Sequence, residues 1–145
     1  MAGHIELHRA TGAGIYLGAR ATTHFPFHPM PHNYEIEFGS TRLNILETPG
    51  HTPENISIVI YDQNEDTAGP KAILTGDTLF VGDVGRPDLL ASIGADSQTL
   101  AGQLYDSLHY HLLFLSATNQ DFPCPWRRQS VWKAPQFTTL FNVGT

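Results

Sequence analysis

A period of two between apolar and polar positions dominates the first half of the chain, and it predicts β-strands. The segments that show it are YEIEF, RLNILET and NISIVIYD, at positions 34–38, 42–48 and 55–62. The turn GST joins the first two segments and makes them a predicted hairpin. In the third segment, Ile56, Ile58 and Ile60 fall on one face. The shorter apolar runs GIYLGA (14–19) and KAILTGD (71–77) predict short buried strands.

Helical spacing is clearest in SQTLAGQLYDSLHYHLLFL, at positions 97–115, where leucines recur every fourth residue. These leucines are Leu100, Leu104, Leu108 and Leu112. The pattern predicts a long amphipathic helix with Ser97 as its N-cap. A weaker pattern in GHIELHRATG (3–12) predicts a short first helix that ends at a glycine.

Two segments show neither the period of two nor the helical spacing, and they are predicted to be loops. Positions 21–33 hold three prolines and three histidines, and positions 78–92 are interrupted by glycine and proline. The order of elements is therefore a run of strands followed by a helix, which indicates the α+β class. The length of 145 residues corresponds to about one domain.

Charge and cysteine content exclude several classes of function. Eight Lys and Arg against 14 Asp and Glu give a formal charge of −6, so no nucleic-acid surface is expected. No apolar run reaches the length of a membrane span, and the first residues lack the apolar core of a signal peptide. We therefore expect a cytoplasmic protein. The single cysteine, Cys124, rules out an intrachain disulfide and a zinc site made only of cysteines.

Eight histidines are many for a chain of this size, and one of them stands in an unusual place. His51 lies in ETPGHTPEN, between Pro-Gly and Thr-Pro and just before a predicted strand. Asp77 directly follows another predicted strand, where a carboxylate must be solvated or paired. Alone, His51 is a polar loop residue and Asp77 a turn cap. Together they predict two metal ligands at one edge of a sheet.

The other histidines form no clear site. They are His4, His8, His24, His28, His32, His109 and His111. The first two are one helical turn apart but lack the glutamate of an H-E-x-x-H motif, so solvated surface is expected. The next three recur every fourth residue in a segment broken by prolines, which favours a loop with coincidental spacing. The last two are two apart on a predicted helix and do not share a face, so they are excluded as a ligand pair.

Arg86 is a candidate for substrate binding. It lies in GDVGRPDLL, nine residues after Asp77 on a glycine-rich segment. A guanidinium beside a metal can hold an anionic substrate carboxylate. A surface ion pair of Arg86 with Asp83 or Asp88 explains the residue equally well.

These blocks carry a family resemblance. TPGHTPENISIVIYD, AILTGDTLFVGDVGRPDLL and LYDSLHYHLL resemble the metallo-β-lactamase fold, over roughly Gly3 to Leu115. More narrowly, they are similar to the persulfide dioxygenase branch, including bacterial members fused to rhodanese domains. The resemblance implies a four-layer αββα sandwich with its metal at the edge of the two sheets.

The same resemblance implies a chemistry and roles for three residues. In that branch one Fe(II) is held by two histidines and one aspartate, with positions left open for substrate and O₂. The substrate is glutathione persulfide, and the products are glutathione and sulfite. By resemblance, His51 is one histidine ligand, Asp77 is the carboxylate, and Arg86 lies beside the glutathione pocket.

The chain also departs from that family. The motif H-x-H-x-D-H normally comes just before a segment like AGHIELH, but here this segment begins at Ala2. The late block P-A-H-G-A-G-S is replaced by FPCPWRRQSVWKAPQ. We therefore expect an incomplete sandwich that lacks the first hairpin, one iron-binding histidine and the final metal loop. Positions 1–115 are the expected partial domain, and 116–145 are an unpatterned tail.

A shifted reading frame, beginning near Leu115 or Ser116, would explain the tail. Read one nucleotide downstream, every TGG codon becomes a glycine codon, so Trp126 and Trp132 both become glycine. With permitted choices elsewhere, positions 122–135 then read F-P-A-H-G-A-G-S-L-C-G-K-H-L, which contains the missing block. Two questions stay open: whether a transit peptide for the mitochondrial matrix was lost with the start, and whether rhodanese domains were lost with the tail.

Three functions stay open on this basis. The first is an impaired persulfide dioxygenase, because two ligands hold iron weakly. The second is a glyoxalase II-like thioesterase with two zinc ions, in which Asp77 would bridge the metals and activate a water. The third is a non-catalytic fragment whose uncovered sheet edges and apolar faces favour self-association. A small thiol persulfide is the expected partner, and a homodimer is left open.

Overall fold

The computed structural model describes residues 3–64, 69–80, 82–90, 94, 96–113 and 115. The elements in chain order are α1 (His4–Thr11), β1 (Tyr16–Gly18), β2 (His28–Met30), β3 (Glu35–Phe38), β4 (Thr41–Glu47), β5 (Ile56–Asp62), β6 (Ala72–Leu74), β7 (Leu79–Phe80), β8 (Asp83–Val84) and α2 (Ser97–Asp106). A π-helical segment, Ser107–Leu112, continues α2. None of the helices in these ranges is both long and apolar enough to span a membrane.

A four-stranded antiparallel sheet in the order β3-β4-β5-β6 is the centre of the fold. The predicted hairpin is confirmed: Phe38 pairs with Thr41 across a turn, and β3 runs antiparallel to β4. β4 and β5 pair along seven residues, from Thr41 opposite Asp62 to Glu47 opposite Ile56. Because β4 and β6 both run antiparallel to β5, their carboxyl ends lie at the same edge of the sheet.

Both faces of the sheet are covered near the end of β4. Ile45 and Leu46 are consecutive and therefore point to opposite faces, yet both are buried. On β5 the predicted alternation is present, but the fully buried positions are Ser57 and Val59, and the isoleucine face is half-buried. Among the residues that the structure describes, the buried apolar side chains are Met30, Ile45, Leu46, Val59, Leu100, Leu104 and Leu112.

Three expectations for the short segments need correction. The strand expected to be buried at 14–19 is only the three-residue β1, and its Tyr16 is exposed. The expected loop at 21–33 contains β2, which pairs in parallel with β1 and stacks His28 on Tyr16. The expected loop at 78–92 contains the small hairpin of β7 and β8. In each case pairing with a neighbour forms a strand too short to leave a periodic pattern.

The two helices form where they were expected, with differences at the ends of the second. α1 ends at Gly12, whose N–H donates to the His8 carbonyl. The N-cap of α2 is Asp96, not Ser97, because the Asp96 carboxylate accepts a hydrogen bond from the Gln98 amide. Ser107, three residues after Leu104, lies on the apolar face and is buried, whereas Leu108 is only half-buried.

The mixed architecture of helices and an antiparallel sheet agrees with the expected fold class. The tail at 116–145 lies outside the described residues, and so do Cys124, Trp126 and Trp132. The boundary near residue 115 and the frame-shift hypothesis therefore stay predictions.

Candidate metal centre

His51 and Asp77 meet at one edge of the central sheet, as their positions after strand ends predict. His51 lies on the turn after β4, and Asp77 lies three residues after β6. The His51 Nε2 and Asp77 Oδ2 atoms are 3.9 Å apart. The His51 side chain is 22% exposed and that of Asp77 65% exposed, so the pair opens to solvent on the carboxylate side.

A backbone carbonyl sets the direction of the His51 ring. The Nδ1 atom of His51 lies 3.2 Å from the carbonyl oxygen of Arg86. A carbonyl oxygen can only accept, so Nδ1 is the donor in this hydrogen bond. In the neutral ring Nε2 then carries a lone pair, and it faces the carboxylate of Asp77. Two acceptors that face each other are best satisfied by a cation between them.

The geometry of the pair suits a shared metal ion. Bonds of about 2.1 Å from an ion to a histidine nitrogen and to a carboxylate oxygen place those two atoms roughly 3 to 4 Å apart, depending on the angle at the metal. The 3.9 Å between His51 Nε2 and Asp77 Oδ2 falls within this span. In the part of the chain that the structure describes, no group of three His, Cys, Asp or Glu side chains could hold a metal. The pair thus fits two ligands of an ion and is not a full set.

A buried hydroxyl network joins the strand ends beneath the pair. The side chains of Thr48, Ser57 and Thr78 are completely buried. Thr78 Oγ1 donates to Thr48 Oγ1 at 3.1 Å, and Thr48 Oγ1 lies 2.9 Å from Ser57 Oγ. Asn55 Nδ2 donates to Thr78 Oγ1 at 2.6 Å. The network therefore links the residue after β4 directly to the segment after β6, and it also reaches β5 through Ser57. The two linked segments are the ones that carry the pair.

Helix α2 packs against the turn that precedes His51. Gly50 has a φ of 149°, and an added Cβ would lie 2.5 Å from the Leu104 Cα atom, so the helix backbone approaches the turn closely. Ser107 Oγ donates a hydrogen bond of 2.8 Å to the Pro49 carbonyl. His51 therefore follows a turn that is fixed by the sheet on one side and by the helix on the other.

The Arg86 side chain pairs with Asp88 in the structure. Arg86 Nη2 donates to Asp88 Oδ2 at 2.6 Å and Nε to Oδ1 at 3.2 Å. This fork of hydrogen bonds raises the pKa of Arg86 and lowers the pKa of the Asp88 carboxyl. The Arg86 side chain is 66% exposed. The ion pair considered as the alternative is thus present, and a role of the guanidinium in substrate binding stays a prediction.

The other histidines mostly engage in local contacts. His8 Nδ1 lies 2.6 Å from the Ala13 carbonyl oxygen, and His109 stacks on Tyr105. His4 packs against Phe25 and is half-buried, so the expected solvated surface is wrong for this residue.

One contact between histidines was not expected. His32 and His111 have ring centroids 4.9 Å apart, although the sequence separates them widely. His32 Nδ1 accepts a hydrogen bond from the Glu47 amide. Burial, and next the nearby His32, lower the pKa of His111, while Asp106 opposes the shift. The exclusion of His109 and His111 as a ligand pair holds, because their rings contact different neighbours.

Sequence reasoning missed the residues that support the pair. Polar side chains inside apolar strands, such as Ser57, were a usable signal, because a buried hydroxyl needs a partner. Thr48 and Thr78, each beside a strand end, gave the same signal. The backbone role of Arg86 left no signal in side-chain chemistry, because every residue type except proline carries the same peptide groups.

Comparisons with known proteins agree with this architecture. No protein-family model matches the chain. The probable metallo-hydrolase YqgX of Bacillus subtilis is 32% identical over 108 residues, which are 72% of this chain and 46% of that protein. The hydroxyacylglutathione hydrolase of Dictyostelium discoideum is 37% identical over 57 residues, 39% of this chain and 21% of that protein. The chain thus spans less than half the length of these relatives.

Two solved structures share the fold. A metallo-β-lactamase from Staphylococcus aureus matches with a TM-score of 0.63 and 35% identity, over 72% of this chain and 32% of that one. ETHE1 from Myxococcus xanthus matches with a TM-score of 0.62 and 27% identity, over 79% of this chain and 44% of that one. Homologues and structural neighbours together support the metallo-β-lactamase fold superfamily, and the chain has part of that fold.

Proposed function

We propose that this chain is a persulfide dioxygenase-like protein in which His51 and Asp77 are two ligands of one Fe(II). The observation that carries the proposal is the approach of His51 Nε2 to Asp77 Oδ2 at 3.9 Å, at the edge where β4 and β6 end. The structural match to ETHE1 and the block GDVGRPD support this branch. The substrate we propose is glutathione persulfide.

Each residue has a distinct part in the proposed reaction. Bound iron would supply the activation of O₂ for oxidation of the persulfide sulfur to sulfite. His51 offers Nε2 as a ligand. Asp77 offers a carboxylate, whose negative charge would offset part of the positive charge of a bound Fe(II). Arg86 would leave Asp88 and pair with a glutathione carboxylate, which its exposed position permits. The open side at Asp77 leaves room for the substrate.

The same geometry argues for weak iron binding. Two protein ligands compete poorly with solution ligands, and the described residues bring no third to the pair. We therefore propose that dioxygenase turnover by this chain alone is low.

Iron content and oxygen consumption test the proposal. The full chain is loaded anaerobically with Fe(II), desalted, and assayed for iron per chain and for O₂ uptake with glutathione persulfide. We expect substoichiometric iron that His51→Ala and Asp77→Ala remove, with little turnover. His109→Ala is the matched control, because His109 is exposed and its ring stacks on Tyr105 of the same helix. Tight stoichiometric iron with sustained turnover would contradict the impairment, and retention of iron by both ligand variants would contradict the site.

A glyoxalase II-like hydrolase is the second candidate. It is favoured by the names of two relatives, a hydroxyacylglutathione hydrolase and a probable metallo-hydrolase. Its chemistry would use two metal ions to activate a water, and Asp77 would help to hold them. Zinc-loaded chain that hydrolyses a glutathione thioester, and that loses this activity in Asp77→Ala, would favour the hydrolase. Both candidates place a glutathione-derived sulfur group beside the same pair.

A further inference from the structure

The backbone of Gly85 and Arg86 passes directly beside His51 and Asp77, the proposed metal pair. The Gly85 N–H donates a hydrogen bond of 3.0 Å to the Thr78 carbonyl, one residue after Asp77. The next carbonyl, that of Arg86, lies 3.2 Å from His51 Nδ1. The β7–β8 hairpin comes just before this segment and returns it to the strand edge. Two consecutive residues thus link the loop after β6 to the ring of His51.

Glycine is required at the first of these two positions. A Cβ added to Gly85 would overlap the carbonyl oxygen of Asp77 and would lie 2.9 Å from the Cβ of His51. The overlap involves backbone atoms, which cannot rotate away as the end of a side chain can. Any other residue at position 85 must therefore push the segment outward and carry the Arg86 carbonyl away from His51.

We infer that the Arg86 carbonyl is a positioning group that holds His51 in its Nδ1–H tautomer, and that Gly85 makes this contact possible. In water, a neutral imidazole exchanges its proton between both nitrogens. A fixed acceptor at Nδ1 keeps the proton there, so Nε2 is ready to bind a cation without first losing a proton. Histidine ligands commonly have such an outer acceptor on the second ring nitrogen. The importance of the tautomer for metal binding rests on the proposed function, whereas the tautomer itself does not.

The tautomer is measurable in the full chain without metal. Long-range ¹H–¹⁵N correlation spectra separate a protonated from an unprotonated imidazole nitrogen, and they are recorded at about pH 9, above the usual pKa range of histidine. We expect His51 to show a protonated Nδ1 and an unprotonated Nε2. In Gly85→Ala we expect loss of this signature, with both nitrogens averaged between the two forms.

Two further variants separate this role from a general structural effect. Gly102→Ala is the matched control, because a Cβ there meets nothing within 4 Å, and it should leave the His51 spectrum unchanged. Arg86→Ala keeps the backbone carbonyl and should also leave the tautomer unchanged, although it removes the proposed substrate contact. A protonated Nε2 in the unmodified chain would overturn the inference, whether or not Gly85→Ala folds. An unchanged tautomer in folded Gly85→Ala would overturn the role of the glycine.

A parallel titration with Zn²⁺ keeps this test distinct from that of the proposed function. The expected tautomer together with loss of Zn²⁺ affinity in Gly85→Ala supports the inference in full. A second outcome is that the unmodified chain shows the expected tautomer but Asp77→Ala leaves its Zn²⁺ affinity unchanged. That outcome supports the orientation of His51 and contradicts the metal role of the pair.

Discussion

Ser107 Oγ donates a hydrogen bond to the carbonyl oxygen of Pro49 across 2.8 Å, although 58 positions separate the two residues. Ser107 is the first residue of the π-helical segment, and Pro49 lies two residues before His51. Ser107 lies three residues after Leu104 and seven after Leu100, so it falls on the apolar face of the helix. The helix therefore buries a hydroxyl against the turn that carries a candidate metal ligand.

Removal of this hydroxyl should loosen the turn. We expect Ser107→Ala to lower the free energy of unfolding by about 1 kcal/mol, because the carbonyl of the half-buried Pro49 loses this hydrogen bond. Denaturant melts of the full chain measure the change. Ser97→Ala is the control, because it removes the same hydroxyl at the start of the same helix, where Asp96 already provides the cap. Equal losses in the two variants would contradict a specific role for Ser107.

The close approach of helix α2 to Gly50 leads to a second prediction, which concerns the stability of Gly50→Ala. Gly50→Ala combines a φ of 149° with a Cβ only 2.5 Å from the Leu104 Cα atom, so the helix must move away from the turn. We expect a loss of roughly 2 to 4 kcal/mol in stability, the range of severe strain and overpacking. Gly102→Ala in the exposed middle of α2 should instead gain about 0.5 to 1 kcal/mol. Thermal melts of the two variants should therefore shift in opposite directions.

The hydroxyl network beneath the pair should couple stability to metal binding. Thr78→Val keeps the shape of the side chain but removes the nearest acceptor of Asn55 Nδ2 and the hydroxyl that donates to Thr48 Oγ1, at a cost of about 1 to 3 kcal/mol. Loss of the Thr78 hydroxyl should also weaken metal binding, because Thr78 adjoins Asp77. A double-mutant cycle with Ser57→Ala measures the coupling through Thr48. Strict additivity of the two changes would show that the hydroxyls act independently.

Acidification should destabilise the fold through His111. Its pKa is lowered from 6.5, chiefly by burial, so the unfolded chain takes up a proton at a higher pH than the folded chain does. The contribution is favourable above about pH 6.5 and is lost as the pH falls from there to the lowered pKa. His111 lines a surface groove, and the other charged or titratable side chains that line it are Arg20, His32, Glu47 and Asp106.

Stability measured against pH tests this effect. We expect His111→Gln to flatten the fall in stability below about pH 6.5, whereas His109→Gln, which changes an exposed ring on the same segment, should leave it in place. A pH profile that is identical in His111→Gln and the unmodified chain would refute the role of His111.

The central sheet, and the meeting of His51 and Asp77 at its edge, could be predicted from the sequence for a physical reason. Alternation in β3, β4 and β5 extends over enough residues to be periodic, and His51 and Asp77 follow strand ends that antiparallel pairing brings to one edge. The strands β1, β2, β7 and β8 have two or three residues each, which is too few for a period.

The contacts that orient the site were beyond sequence reasoning for a different reason. The hydrogen bond between the Arg86 carbonyl and His51, and the contact of His32 with His111, depend on how distant segments pack. Neither leaves a local pattern. The burial of Ser107 was missed for another reason, because the spacing argument counted only leucines, whereas Ser107 shares the face of Leu100 and Leu104.

The location of bound iron is the most direct test of the central claim, that His51 and Asp77 form the metal pair of this chain. Fe(II) is titrated anaerobically into ¹⁵N- and ¹³C-labelled full chain, and the paramagnetic loss of side-chain signals is followed. We expect the signals of His51 and Asp77 to disappear first, and this selective loss to be absent in Asp77→Ala. Earlier loss of the His32 and His111 signals, or an unchanged pattern in Asp77→Ala, would contradict the claim.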